Sequence, residues 1–408
     1  MIPRTTAVTR TVQSAADLLS WVSALGPGRL DVVVDEAVAP HPPVDGLLRT
    51  LQRAVTNCAV LPQGPGSTAE DLARRLRSGS VVVAVGGGSV IDRAKLAVRA
   101  GADDCTPYLS TRHRAAMVLL PPRPLGTRPL AAVPTTLGTG SEVSKAAVHV
   151  GGGRRRLVVG EGIQPDLALH APRLTTGLPD HLVAEGVLEI VARLIGPYVG
   201  DPRPRPVEDA VVEALLRVLG PLLVRAGDGA LTLEDRAQLL RIGSMSHQDA
   251  VVDGRSPYAV KWWALTNEIC AATGVRKVPA LTAVLPVVMD RLLGGDGRWG
   301  SAERLRHVAL VLSHATAELL PAAPEAGLRA LLQHLGLRTA PAVADLPAPR
   351  VAHAVHRGWG AGLPMFAGFR EHELVSLAED VALEAAALPR ARELPPTGGR
   401  SIHVEERR

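Results

Sequence analysis

Two kinds of hydrophobic spacing divide the chain near residue 180. Before it, short continuous apolar runs alternate with helical periodicity. Leu30–Val34 (LDVVV) and Ser80–Val85 (SVVVAV) read as buried strands, while Val44–Val55 and Thr68–Leu76 repeat apolar residues at i, i+3 and i+4. Uninterrupted β-branched strands separated by helices imply a parallel sheet covered on both faces. Beyond residue 180, Ala/Leu-rich stretches with helical recurrence take over: Val207–Val218, Thr232–Met245, Ala302–Leu320, Gly327–Leu335 and Glu373–Ala387. Gly200–Pro206 (GDPRPRP) reads as a loop between helices. The expected organisation is an α/β domain over residues 1–180, an all-α domain over 181–394, and a polar, frayed tail over 395–408.

Composition narrows the classes. With 46% hydrophobic and 21% charged residues in 408, the chain is globular rather than disordered. No apolar run approaches the ~18 residues of a membrane span, and the first residues hold no uninterrupted apolar core of a signal peptide. The expected location is the cytoplasm, with no membrane partner. Cys58, Cys105 and Cys270 are widely spaced and form no disulfide framework. The net charge of +5 arises from 45 basic and 40 acidic residues, intermingled along the chain. The densest basic cluster, Arg154-Arg155-Arg156, has no neighbouring aromatics, which argues against nucleic acid. Of the basic residues 41 are arginines and four are lysines, which draws attention to Lys95, Lys145, Lys261 and Lys277.

Two segments carry candidate chemistry. In VVVAVGGGSVIDRAK (81–95) a strand runs into Gly86-Gly87-Gly88-Ser89 and then into a helix. Glycines there let backbone amides approach a ligand, and the helix N-terminus adds positive potential, an arrangement suited to a pyrophosphate and equally to a tight strand–helix turn. The spacing does not satisfy GxGxxG. In VPTTLGTGSEVSK (133–145) hydroxyl residues and glycines crowd together, offering many small donors.

Together these motifs resemble the iron-containing alcohol dehydrogenase family, within the superfamily that includes glycerol dehydrogenases and dehydroquinate synthases. The family patterns GGGSxxDxAK and PTTxGTGSE are both complete, and GIQPDLALHAPRLTTGLPD (162–180) is similar to its "PDxAxxDPxLTxxLP" segment. The resemblance implies an N-terminal α/β nucleotide-binding domain with a parallel sheet, an all-α C-terminal domain, and an active site in the cleft between them. It implies NAD held at the pyrophosphate by Gly86, Gly87, Gly88 and Ser89, with Thr135, Thr136, Thr139 and Ser141 on the nicotinamide side and Asp92 and Lys145 beside them. Asp35, which ends VVVD, matches the aspartate that reaches the adenosine ribose, where a carboxylate favours NAD over NADP. Read by itself, Asp35 is equally a turn aspartate at a strand end.

The departure lies at the metal. The family binds one divalent ion through an Asp and three His, the first two in a DAxxH motif. The matching stretch LPDHLVAEGVLEIVARLIGPYV (178–199) has Glu189 for the Asp and Arg193 for the His, an i, i+4 pair on one helical face. The segment 258–289, which would supply the other ligands, contains no histidine; Lys277 falls near the last ligand position, and Lys261 to Trp263 near the other. One carboxylate among cations suits neither Zn²⁺ nor Fe²⁺, so the expected site is metal-free. His247, His307, His314, His353 and His356 lie outside the matching segments and read as surface or helix-face residues.

The expectation is therefore an NAD-dependent oxidoreductase, assembled as a homodimer, whose substrate is a small molecule or a peptide. Lys277, Lys261 and Arg193 are the cations available to stabilise an alkoxide, and Glu189 would hold Arg193. The stripped metal pattern is similar to divergent relatives in specialised metabolism, including dehydrogenases of daptide-type peptide tailoring. The alternatives are a dehydroquinate-synthase-like lyase or cyclase using NAD transiently, and a non-catalytic nucleotide-binding protein.

Overall fold

A computed structural model describes residues 8–101, 114–122, 127–151 and 153–388. Cys105 and the expected tail over 395–408 lie outside the described residues. Among the described residues the α/β half contains nine strands: β1 (Arg10–Val12), β2 (Leu30–Asp35), β3 (Cys58–Gln63), β4 (Val81–Gly86), β5 (Met117–Leu119), β6 (Leu130–Pro134), β7 (Ala146–Gly151), β8 (Arg154–Val159) and β9 (Leu167–Leu169). Six of them form a parallel sheet in the order β1-β9-β6-β4-β2-β3.

Why β2 and β4 read as unbroken apolar runs is clear from what covers them. Side chains alternate between faces. Val32, Val34, Val83 and Val85 face one cluster with α1 (Ala15–Ala24) and α2 (Pro42–Ala54). Val33, Val82 and Ala84 face another with α3 (Ala69–Arg75) and α4 (Gly88–Ala100). The helix after β2 thus packs on one face and the helix after β4 on the other. Where neighbouring strands diverge in this way, a crevice opens at their carboxyl ends. Asp35 and Gly86 stand there: a Cβ placed on Gly86 would lie 3.1 Å from that of Asp35.

The helical half begins with α5 (Asp180–Gly200), and no strand follows β9 among the described residues. Of the 21 residues of α5, 14 are buried, so it is a central helix rather than an amphipathic one. Around it pack α6 (Pro206–Gly227), α7 (Leu233–Met245), α8 (Lys261–Thr273) and α9 (Lys277–Leu293), with further helices outside them. Thr232 caps α7 by accepting from the Asp235 amide, completing a capping box.

Two features differ from the periodicity reading. Strands β5, β8 and β7 form a second sheet, with β8 parallel to β5 and antiparallel to β7. β8 opens on three arginines, β7 is interrupted by His149 and β5 has only three residues, so none shows the long apolar run that marks a strand buried on both faces. The helix expected over Ala302–Leu320 ends at Ala315. Thr316 Oγ1 turns back to the carbonyls of Leu312 and Ser313, and Ala317 and Glu318 take left-handed backbone.

The two halves meet through backbone. Gly138, at φ +83°, lies so close to α5 that an added Cβ would be 2.0 Å from the Gly186 carbonyl; a Cβ on Gly186 would lie 2.6 Å from that of Leu137. Alanine is favoured over glycine within helices by ~1 kcal/mol, so propensity alone predicts that Gly186→Ala stabilises. The contact predicts the opposite, a loss of about 2 kcal/mol, measured by urea unfolding; a gain would disprove this account of the joint.

Candidate active site

The crevice side of the site is built from short-range necessities. β4 ends at Gly86, Gly87 is the N-cap of α4, and no side chain caps that helix's first turn, so its amide end is open. The Thr135 amide donates to the Gly86 carbonyl at 3.0 Å and brings the threonine loop alongside. A Cβ on Gly87 would lie 3.1 Å from Thr136 Cγ2, and one on Gly88 would lie 3.0 Å from Thr139 Cβ. The backbone at these glycines is not left-handed, so closeness is what requires glycine. The buried hydroxyls of Thr135 and Thr136 have no hydrogen-bond partner among the described residues. Orphaned hydroxyls beside a side-chain-free cradle at a helix N-terminus fit a polar, phosphate-bearing cofactor. Asp35 accepts from the Ala37 amide at 3.1 Å through Oδ1.

Behind this cradle lies a buried brace. Ser141 Oγ donates to Asp92 Oδ1, and the Val148 amide donates to Asp92 Oδ2 at 2.8 Å. Lys95, 1% exposed, donates to the carbonyls of Ser141 at 3.1 Å and Ala146 at 2.5 Å. Burial pulls its amine down to about 8, against the pull of Asp92. Asp92 and Ser141 thus satisfy each other and support the crevice from behind. Lys145 stands farther out, 3.7 Å from Asp249.

Facing the cradle is the place where the family resemblance puts metal ligands. Glu189 is 4% exposed, and its Oε1 accepts from Lys277 Nζ at 2.6 Å and from Arg193 Nε at 3.1 Å. Both cations also lie over the Trp263 ring, with Arg193 Cζ 5.1 Å and Lys277 Nζ 5.2 Å from its centroid. Burial pushes the Glu189 carboxyl up, but Lys277 and Arg193 prevail and hold it below the ordinary carboxylate range. Lys261 does not join them; at the start of α8 its electrostatic partner is Asp296, and the nearby Trp263 takes the place beside the clamp. Among the described residues no three or more His, Cys, Asp or Glu side chains cluster in a metal-binding arrangement. A divalent ion does not fit residues of this kind.

His247 also belongs here, although sequence reading set it with the surface histidines. Its Nε2 donates to the Thr139 carbonyl at 3.1 Å, and its ring sits where a Gly140 Cβ would be. Burial, then Arg193, Lys95 and Lys277, push its pKa well below the usual histidine value, so it is neutral at pH 7. By contrast His307 and His353 pair with Glu213 and Glu371 away from the site. One cleft of about 360 Å³ joins the two sides: Gly88, Ser89 and Thr139 line it from the sheet, Glu189 and Lys277 from the helices.

Comparison with known proteins agrees with this geometry. Residues 5–172 match the family model described as iron-containing alcohol dehydrogenase. Over this span, less than half of the chain, the protein is similar to that family. It is 33% identical over 175 residues to 4-hydroxybutyrate dehydrogenase of Cupriavidus necator, covering 42% of this chain and 43% of that protein. It is 38% identical over 144 residues to phosphonoacetaldehyde reductase of Streptomyces viridochromogenes, covering 32% and 34%. The chain thus matches less than half the length of these curated relatives. The fold likeness spans both halves: an iron-containing alcohol dehydrogenase from Thermococcus thioreducens superposes with a TM-score of 0.71 at 19% identity, over 93% of this chain and 98% of that one. A sulfoacetaldehyde reductase from Bifidobacterium kashiwanohense, solved with NAD⁺, gives 0.68 at 18% identity, over 92% and 97%. Within this fold, the Glu189 clamp stands where the family resemblance places metal ligands.

Removing one partner from a buried ion pair costs about 3 kcal/mol or more. Glu189→Gln should therefore destabilise the protein by that amount, because two cations lose their counter-charge, whereas Lys277→Met should cost less, since Arg193 remains. Because the folded Glu189 carboxyl titrates below its unfolded value of about 4.3, its contribution is complete above that pH. It fades as pH falls through the lower folded value. Urea unfolding of both variants across pH 3–7 checks this; equal stability of Glu189→Gln and wild type at pH 7 would refute it.

Proposed function

We propose that this protein is an NAD-dependent oxidoreductase interconverting an alcohol and a carbonyl compound at a centre without a metal ion. The observation that carries the reading is the single cleft in which the glycine cradle faces the Lys277–Glu189 pair. Similar proteins named for hydroxy-acid and aldehyde chemistry support it.

Bound NAD supplies the hydride acceptor. The chain's own residues do the rest. The amide end of α4 and Gly86–Gly88 take the pyrophosphate, the free hydroxyls of Thr135 and Thr136 supply polar contacts, and Asp35 takes a ribose hydroxyl. In the oxidising direction the alcohol loses a hydride from carbon and, to water in the cleft, a proton from oxygen, leaving the carbonyl. Negative charge grows on that oxygen as the proton departs. Lys277 has three N–H donors, one engaged by Glu189, and lines the cleft with the others available to stabilise this charge. Arg193, bound through two nitrogens to Glu189, positions that carboxylate. The finer proposal, oxidation of a peptide's C-terminal residue in daptide-type tailoring, rests on the family resemblance, and a screen of hydroxylated peptides for NADH formation tests it.

Fluorescence titration with NADH tests the cofactor site. Gly87→Val drives a side chain into Thr136 and should weaken binding about tenfold or more; unchanged affinity would overturn the assignment. Asp35→Ala should shift preference toward NADPH by removing the charge that repels a 2′-phosphate. Equal affinity of the wild type for NADH and NADPH would contradict that role.

A further inference from the structure

The cleft is lined by more cations than its own carboxylates answer. Arg93, Arg155, Arg276 and Lys277 line it together with Glu185 and Glu189. Glu189 is neutralised by Lys277 and Arg193, and Glu185 by Arg276, whose Nη2 lies 2.6 Å from Oε1. Arg93 and Arg155 have only amides as side-chain hydrogen-bond partners: Arg93 Nη1 lies 3.3 Å from Gln63 Oε1, and Arg155 Nε lies 3.3 Å from Asn267 Oδ1. Arg93, on α4 just beyond the glycines, belongs to the cofactor end and is electrostatically coupled to Asp35.

Arg155 comes from β8, on a different wall, and is held there from both sides. Asn267 accepts from its Nε and returns a bond to its backbone carbonyl at 3.2 Å. Glu268, the carboxylate next to Asn267 in the chain, accepts from the Trp359 indole N–H at 2.8 Å and feels Arg155 only through space, sharing that attraction with Arg154. The two terminal nitrogens of Arg155 make no hydrogen bond or ion pair among the described residues. A guanidinium fixed at Nε and free at both Nη groups is pre-organised for two parallel bonds to an oxyanion.

We infer that the substrate is an alcohol or carbonyl compound carrying an oxyanion, a carboxylate or a phosphonate, and that Arg155 is the specificity-determining residue that binds it. This rests on the proposed reading of the cleft as a dehydrogenase site. The charge balance supports it: the cofactor's phosphates are provided for at the α4 wall, which leaves the Arg155 charge for a second anion.

Isothermal calorimetry on the full chain, with and without saturating NADH, tests the inference using butyrate, methylphosphonate and the neutral isostere butanamide. Butyrate or methylphosphonate should bind the NADH-loaded protein about tenfold or more tightly than butanamide. Arg155→Gln should erase that preference, Arg155→Lys should restore part of it, and NADH affinity should stay unchanged in both. Equal binding of butyrate and butanamide, absence of binding by either anion, or anion affinity unaltered in Arg155→Gln would overturn it. Displacement of the anion by NADH would also overturn it, assigning Arg155 to the cofactor phosphates. Failure of NADH itself to bind would instead remove the cofactor reading, while the anion arms on cofactor-free protein still decide the role of Arg155.

Discussion

A carboxylate buried in a central, largely apolar helix must be met by positive charge, or it cannot stay ionised. Glu189 imposes that condition on the helical half, and the chain meets it twice, from the next turn of the same helix through Arg193 and from the first residue of α9 through Lys277. Trp263 of α8 packs under both cations. One buried charge thus ties α5, α8 and α9 into a single wall. Pairing through the guanidinium and ammonium also fixes what the wall offers: a directed cation with N–H donors, where the family pattern has a coordinated metal.

The opposite wall is held by different means. Lys95, Asp92 and Ser141 lock the threonine loop to α4 through buried hydrogen bonds. The same loop reaches across to the helical half through Glu142, whose carboxylate accepts from Ser244 Oγ of α7 and lies 3.4 Å from His170. Together with the backbone contact of Gly138 and Gly186, this fixes the cradle relative to Glu189 by packing.

Much of this was legible from sequence because it is local. LDVVV and SVVVAV announce strands buried on both faces, GGGS followed by a helix announces the crevice, and the spacing of Glu189 and Arg193 alone makes their pairing predictable. What could not be read is what depends on distant contacts. Lys277 finds Glu189 across 88 positions, and only the family resemblance put them together. Lys261 and Trp263 differ by two residues on one helix, yet only Trp263 reaches the clamp. The run Arg154-Arg155-Arg156 reads as one basic patch until strand alternation separates it, burying Arg156 and leaving Arg155 on the cleft. His247 gave no signal, because its partner is a backbone carbonyl.

If paired side-chain cations stand in place of a metal, as proposed, direct metal binding tests it. Elemental analysis of the purified protein, followed by calorimetric titration of the chelator-treated protein with Zn²⁺ and with Fe²⁺, is the measurement. The account predicts far less than one equivalent of either metal as isolated and no stoichiometric binding on titration. One equivalent bound tightly, and lost in Glu189→Gln, would contradict it.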